Sequence, residues 1–143
     1  MAGRSSIHSV EISTIAHATE DPAKVEIALR NVSSLNLQFT RRYLEGHHGN
    51  PIVKLDTRLT DNIATEVARG FIEQLSNSDR CLIERDLALY SDAEGNLYIR
   101  IDKQKSFRGA VQLGVDDPIR IKIKFNRLTG KPNEVISKFL ELE

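Results

Sequence analysis

Apolar and polar residues alternate strictly from Ile119 to Phe125. Ile119, Ile121, Ile123 and Phe125 point one way, and Arg120, Lys122 and Lys124 the other. This period of two specifies a strand with one buried face. A weaker alternation runs from Ile7 to His17, where Val10, Ile12, Thr14 and Ala16 interleave with Glu11, Ser13 and Ile15. Leu35, Leu37 and Phe39 alternate again and predict a second strand reaching about Tyr43, followed by a loop from Leu44 to Asn50. A third strand begins near Pro51, with Val53, Leu55 and Leu59 on one side and Lys54, Asp56 and Arg58 on the other. Leu87 and Leu89 before Asp92-Ala93-Glu94-Gly95-Asn96, and Leu97, Ile99 and Ile101 after it, predict a hairpin with a glycine-containing loop.

Helical spacing fills the gaps. Asp21 caps a helix with Pro22 at its first position, where no amide hydrogen is needed, and Val25, Ala28, Leu29 and Val32 form its apolar stripe up to Ser33-Ser34. Thr60 or Asp61 starts a second helix, whose core stripe is Ile63, Val67, Phe71 and Leu75 with Ala64, Ala68 and Ile72. Ser78 caps a short helix reaching about Arg85. Asn133, after the turn Thr129-Gly130-Lys131-Pro132, caps a last one carrying Val135, Ile136, Phe139 and Leu140. The stretch from Lys103 to Val115 reads either way. Strands and helices mix without strict βαβ alternation. The expectation is an α+β fold in one domain, residues 1–143, with a mostly antiparallel sheet and helices packed on one face.

Composition fits that picture: 143 residues, 40% hydrophobic and 28% charged, suffice for one core. No apolar run approaches the ~20 residues that cross a bilayer. The first residues lack the apolar centre of a secretory signal, and the lone Cys81 forms no internal disulfide, so the cytoplasm is the expected location. Net charge is zero but unevenly spread. Between Arg100 and Lys131 nine basic residues face three acidic ones, a surplus of six matched by a deficit elsewhere. A neutral protein can thus carry one face attractive to phosphates, although a solvated basic surface reads the same way.

The basic strand supplies the clearest candidate chemistry. Arg120, Lys122 and Lys124 recur every ~6.6 Å along one face, an interval suited to following a phosphate backbone. If the strand ending near Ile101 pairs with it, Arg100 and Tyr98 join that face, and Phe107 and Arg108 extend it. An ordinary polar sheet face is the alternative. The second candidate is the loop Gly46-His47-His48-Gly49-Asn50-Pro51. Its glycines permit unusual backbone and close ligand approach, and His47 and His48 can donate to phosphate, stack on a base or bind metal. Arg41 and Arg42 lie just ahead of it. A tight connection with tolerated histidines is the alternative there.

Other chemistries find less support. No HExxH, paired cysteines, nucleophile elbow, phosphate-binding glycine loop or dinucleotide motif occurs. The expectation is no metal and no cofactor; His17, Glu45 and Cys81 are candidates for extra ligands beside the histidine pair. A ribonuclease would use His48 as general base with Asp56 or Glu45 as partner. Cys81 is expected as a buried thiol, His8 on the surface, and His17 packed or paired with Glu20 or Asp21.

Taken together, His17-Ala18-Thr19-Glu20-Asp21-Pro22, the histidine–glycine loop through Ile52, Asp102-Lys103-Gln104 and Asp116-Asp117-Pro118-Ile119 resemble an archaeal family of small predicted RNA-binding proteins described in connection with the exosome. The likeness runs from about Val10 to Leu140. It implies a ribosomal protein L5-like α+β arrangement and RNA as the class of partner. It also implies importance for His17, Glu20, His47, His48, Asn50 and Lys103, in folding or in binding.

The resulting expectation is a non-catalytic RNA-binding protein. Arg100, Lys103, Arg108, Arg120, Lys122 and Lys124 would serve phosphates, with Arg41, Arg42, His47, His48 and Asn50 at one edge. The low aromatic content of 6% favours shape and backbone contacts over serial base stacking. Two other classes remain: a protein-interaction module or homodimer, in which acidic and basic regions of two copies pair, and the ribonuclease.

Overall fold

The computed structural model describes residues 7–126 and 132–141. Five strands form one antiparallel sheet in the order β2-β3-β1-β5-β4. The strands are β1 (Ile7–Ala16), β2 (Thr40–Glu45), β3 (Pro51–Thr60), β4 (Leu97–Ile101) and β5 (Ile119–Phe125). Six helices occur among the described residues: α1 (Pro22–Ser33), α2 (Asp61–Gln74), α3 (Asn77–Arg85), α4 (Leu87–Tyr90), α5 (Lys103–Phe107) and α6 (Pro132–Leu140). The α+β class and the one-sided helix layer agree with the sequence pattern.

The core forms where the apolar face of the sheet meets the helix stripes. Val10 and Ile12 of β1, Leu55 of β3, Ile99 of β4 and Ile121 and Ile123 of β5 are buried against Leu29 and Val32 of α1 and Val67, Phe71 and Ile72 of α2. Each such side chain contributes about 1.5–3 kcal/mol on burial. The start of α1 is as the sequence dictates: Asp21 Oδ1 accepts from Ala23 N at 2.9 Å with Pro22 in the first turn, and Ser34 ends the helix in the left-handed region. Thr14, polar within the apolar row, donates to Pro118 O at 3.0 Å, which offsets its burial.

Several elements differ from the sequence reading. The predicted hairpin before β4 is absent, because Leu87–Tyr90 form a helical turn and only Ser91 bridges to Leu97. Leu89 is 81% exposed, so no apolar face calls for a strand there. The Asp92 side chain organises the loop instead: Oδ1 accepts from Glu94 N and Asn96 N, and Oδ2 from Asn96 Nδ2 and Tyr98 Oη. Leu35, Leu37 and Phe39 pack on the core without joining a ladder, and β2 begins only at Thr40. Arg30 Nε of α1 donates to Leu37 O, occupying a carbonyl that a strand would use.

The smaller corrections concern caps and faces. Ile63 is 51% exposed, outside the buried stripe of α2. Thr60 holds the cap position of α2 without a side-chain bond, and Ser76 rather than Ser78 caps α3. Cys81 is exposed, because α3 turns Ile83 inward and leaves the thiol on its outer side. The ambiguous stretch resolves into α5, capped by Asp102, and a loop bridged to β4 through Leu113. Pro132 opens α6, so Asn133 lies within the helix; residues 129–131 of the expected turn lie outside the described residues.

Candidate functional site

Strand register decides which charged residues share a surface. On the face turned away from α1 and α2, Arg100 of β4 stands opposite Arg120 of β5, which stands opposite Ser13 of β1. The next row pairs Tyr98 with Lys122 and Lys122 with Glu11, and Glu11 in turn pairs with Arg58 of β3. Lys124 follows along β5. Ile15, Lys54 and Arg42 form a row nearer β2. The sequence reading of a basic face with an aromatic is therefore what the ladder produces.

Its charges are unevenly neutralised. Both acids of this face belong to β1 and β3: Glu11 lies 3.9 Å from Arg58 Nε and Asp56 lies 3.8 Å from Arg42 Nε. The outward residues of β4 and β5 themselves include no acid, although Asp92 meets the Tyr98 hydroxyl and Glu11 of β1 stands opposite Lys122; among the described residues Arg100, Arg120 and Lys124 make no ion pair. Like charges directly opposite across strands repel, so Arg100 and Arg120 sit at a cost that a bound anion would offset. Lys122 Nζ lies 5.7 Å from the centre of the Tyr98 ring. The Tyr98 hydroxyl donates to Asp92 at 2.8 Å, which raises the tyrosine pKa. Burial works against ionisation of Asp92, yet the donors from Asn96, Tyr98 and Glu94 outweigh it and hold the carboxyl far below its ordinary range. A groove of about 420 Å³ lies over this half, between the strand faces and Leu89 of α4.

The remaining site expectations fall elsewhere. His47 and His48 are exposed at the tip of the β2–β3 hairpin, their rings 5.4 Å apart and edge to face. Gly46 N donates to Asn50 O, a Cβ on Gly46 would stand 2.6 Å from Asn50 Oδ1, and Gly49 holds φ +79°. The glycines are thus explained by the turn itself. This tip projects from the β2 edge, four strands away from β4 and so about 19 Å across the sheet from the tyrosine. Asp56 faces Arg42 rather than a histidine. Arg41 points to the helix side and pairs with Glu26 at 2.7 Å, which raises its pKa. Arg108 lies at the end of α5 beside α1, lining a second hollow of about 400 Å³ with Lys24 and Phe107.

Lys103 does not join the basic face. It is 4% exposed, and its ammonium contacts Ile15 O at 2.8 Å, Glu20 Oε1 at 2.9 Å and Asp117 Oδ2 at 2.7 Å. Three partners occupy its three hydrogens, leaving none for phosphate. His17 completes the cluster: its ring contacts Asp117 Oδ1 at 2.8 Å and its backbone N–H donates to Glu20. The ligand atoms of His17, Glu20 and Asp117 lie within 4.8 Å of one another, close enough to hold a cation. The Lys103 ammonium already supplies that charge. Partial burial works against ionisation of Asp117, but Lys103 and His17 outweigh it and lower its pKa. Three of the four segments that carried the resemblance therefore converge at the end of β1. Sequence reading missed this cluster, and it also missed Lys54 and Arg58 as members of the basic face, although their alternation in β3 placed them correctly.

Comparison with known proteins agrees with this architecture. A family model described as RNA binding matches residues 9–125. RNA-binding protein PAB1135 of Pyrococcus abyssi is 33% identical over 99% of this chain and 96% of its own length. The crystal structure of AF2318 from Archaeglobus fulgidus, a DUF54 protein, superposes with a TM-score of 0.80 at 31% identity, covering 94% of this chain and 98% of that one. A DUF54 protein from Methanothermobacter thermautotrophicus gives 0.73 at 33% identity, with the same two coverages of 94% and 98%. Matched from β1 through β5 and along nearly the whole length of these relatives, the chain belongs to the protein family described as RNA binding, with DUF54 proteins among its structural relatives.

Proposed function

We propose that the chain is a non-catalytic RNA-binding protein whose binding surface is the uncovered face of the sheet. The observation that carries this is the row Arg120, Lys122 and Lys124 along the outward face of β5, with Arg100 of β4 set opposite Arg120, in a chain of zero net charge. Such a lattice attracts phosphates whatever the sequence, releasing counterions as it binds. Arg42, Lys54 and Arg58 extend it toward the hairpin, where Asn50, His47 and His48 form an edge available for sugar or base contacts. Arg41, Lys103 and Arg108 serve the helix side. The RNA-binding family and the relative named as an RNA-binding protein support the reading. RNA processing, including association with the exosome, is the cellular setting we propose for it.

Titration of a fluorescent RNA over a salt series tests the function. Affinity should fall steeply with salt, and Lys122→Gln with Lys124→Gln should weaken binding and flatten the dependence. No binding at low salt, or none of that loss in the double variant, would overturn the proposal.

One observation favours a second reading, pairing of two copies. β2 is an edge strand with every residue exposed, Tyr43 at 72%. The outer backbone groups of an edge strand are a template for another strand, although the charges of Arg41, Arg42 and Glu45 work against it. Light scattering with and without RNA tests it: a dimer that still binds RNA fits pairing through β2, whereas a dimer formed by the basic strand leaves no free face for RNA.

A further inference from the structure

We infer that the groove at the β4 edge is a subsite for one unpaired RNA nucleotide, with its phosphate between Arg100 and Arg120 and its base against Tyr98 and Leu89. The inference rests on the proposed RNA-binding function and assigns what this half of the face selects.

Four observations carry it. The groove of about 420 Å³ falls in the ~300–1,000 Å³ range of small-ligand sites. Its walls combine two chemistries that a phosphate backbone alone does not require: the cations Arg100, Arg120 and Lys122, outnumbering the one acid Glu11, which lies 3.9 Å from Arg58, and the apolar surfaces of Tyr98 and Leu89. Tyr98 is 41% exposed and Leu89 is 81% exposed, so both present carbon surface to solvent beside a charged floor. The tyrosine is also held in place. Its hydroxyl is tied to Asp92, and Lys122 stands over its ring, so little side-chain entropy remains to be lost when a base stacks on it. Finally, Arg100 and Arg120 confront each other without an acid, and an anion between them relieves that repulsion.

The combination suits a nucleotide whose base is free. In an RNA helix the base faces are stacked within the duplex and unavailable to a side chain, so a blunt duplex satisfies only the cations. A single aromatic on the face also sets the number: one base stacks here, and the remaining contacts are to phosphates. The groove thus discriminates between RNA with an unpaired residue, at a bulge or an end, and RNA without one.

The test compares a blunt RNA duplex with the same duplex carrying a single-nucleotide bulge, by fluorescence anisotropy at fixed salt. The bulged duplex should bind about tenfold more tightly, from one base–aromatic stack. Tyr98→Leu should erase the preference for the bulged duplex. Tyr98→Phe, which keeps the ring and loses only the hydroxyl, should retain most of it and shows that the fold tolerates change at this position. Equal binding of both duplexes to the native protein, or a preference that survives Tyr98→Leu, overturns the subsite while leaving the RNA-binding function standing. Failure of both duplexes to bind at low salt is the distinct result that removes the subsite and the RNA-binding function together. Displacement of the bulged duplex by micromolar AMP would give the groove to a free nucleotide and likewise overturn the assignment.

Discussion

Lys103 Nζ stands 2.7 Å from Asp117 Oδ2, an ion pair whose lysine side chain is only 4% exposed. It ties the start of α5 to the loop before β5, and through Glu20 to the turn between β1 and α1. A lysine that reads in sequence as one more cation of a basic stretch is in fact the centre of a buried joint.

Replacing it should therefore harm the fold. Lys103→Met leaves the carboxylates of Glu20 and Asp117 facing each other without their shared cation. Breaking a buried pair costs about 3–5 kcal/mol, and the partial exposure of both carboxylates places this case toward or below the lower end. Urea unfolding should show the free energy of unfolding reduced by that amount, with a correspondingly lower midpoint.

RNA affinity should divide the basic residues by face. Arg120→Gln and Lys122→Gln should each reduce the slope of log affinity against log salt by about 0.7–0.9, the loss of one phosphate contact. Arg108→Gln and Arg41→Gln, on the helix side, should leave the slope unchanged. Anisotropy titrations at several salt concentrations check both halves of the statement, and an equal effect from Arg108 would locate the RNA on the wrong face.

Acid should weaken the protein through Asp92 and Asp117. Both carboxyls titrate below their ordinary value in the folded chain. A depressed folded pKa adds stability that is present above the unfolded value, about 3.9, and is lost as pH falls through the folded one. Asp92→Asn should thus destabilise at neutral pH, and its deficit against the native chain should shrink as pH drops below about 4. Thermal unfolding at a series of pH values measures this; parallel curves for the two proteins would contradict it.

Gly114 should be intolerant of a side chain. A Cβ there would lie 2.7 Å from the Asp102 backbone N and Cα, atoms that cannot rotate away. The same stretch is pinned by Gly114 N to Arg100 O and by Asp102 N to Gln112 O. Gly114→Ala should cost about 1–3 kcal/mol, the usual penalty of overpacking. Denaturant unfolding gives the value, and since Asp102 adjoins both Ile101 of β4 and Lys103, amide exchange should rise at the β4 edge as well.

The local pattern alone determined a good deal. Alternation in β1, β3 and β5, the Asp21–Pro22 start of α1 and the stripe of α2 were legible because each depends on neighbours within a few residues. So was the basic row of β5, since a strand puts every second side chain on one face whatever it pairs with. Leu35 to Phe39 and Leu87 to Tyr90 were misread for the opposite reason. Their apolar spacing fits a strand, but strand formation requires a partner ladder, and the sequence does not say where one is.

Tertiary structure decided the rest, through contacts between residues far apart in the chain. It set Arg100 against Arg120 and Tyr98 against Lys122, turning a row of cations into a surface with one aromatic. It sent Arg41 and Arg108 to the helix side and placed the histidine loop at the opposite edge of the sheet from that tyrosine. It also drew Lys103 inward, because His17, Glu20 and Asp117 meet only when the chain has folded, and a charge among such partners is more stable than one in the apolar core beside them. The sequence determined which faces are apolar and which are charged; the pairing of strands determined which charges are free.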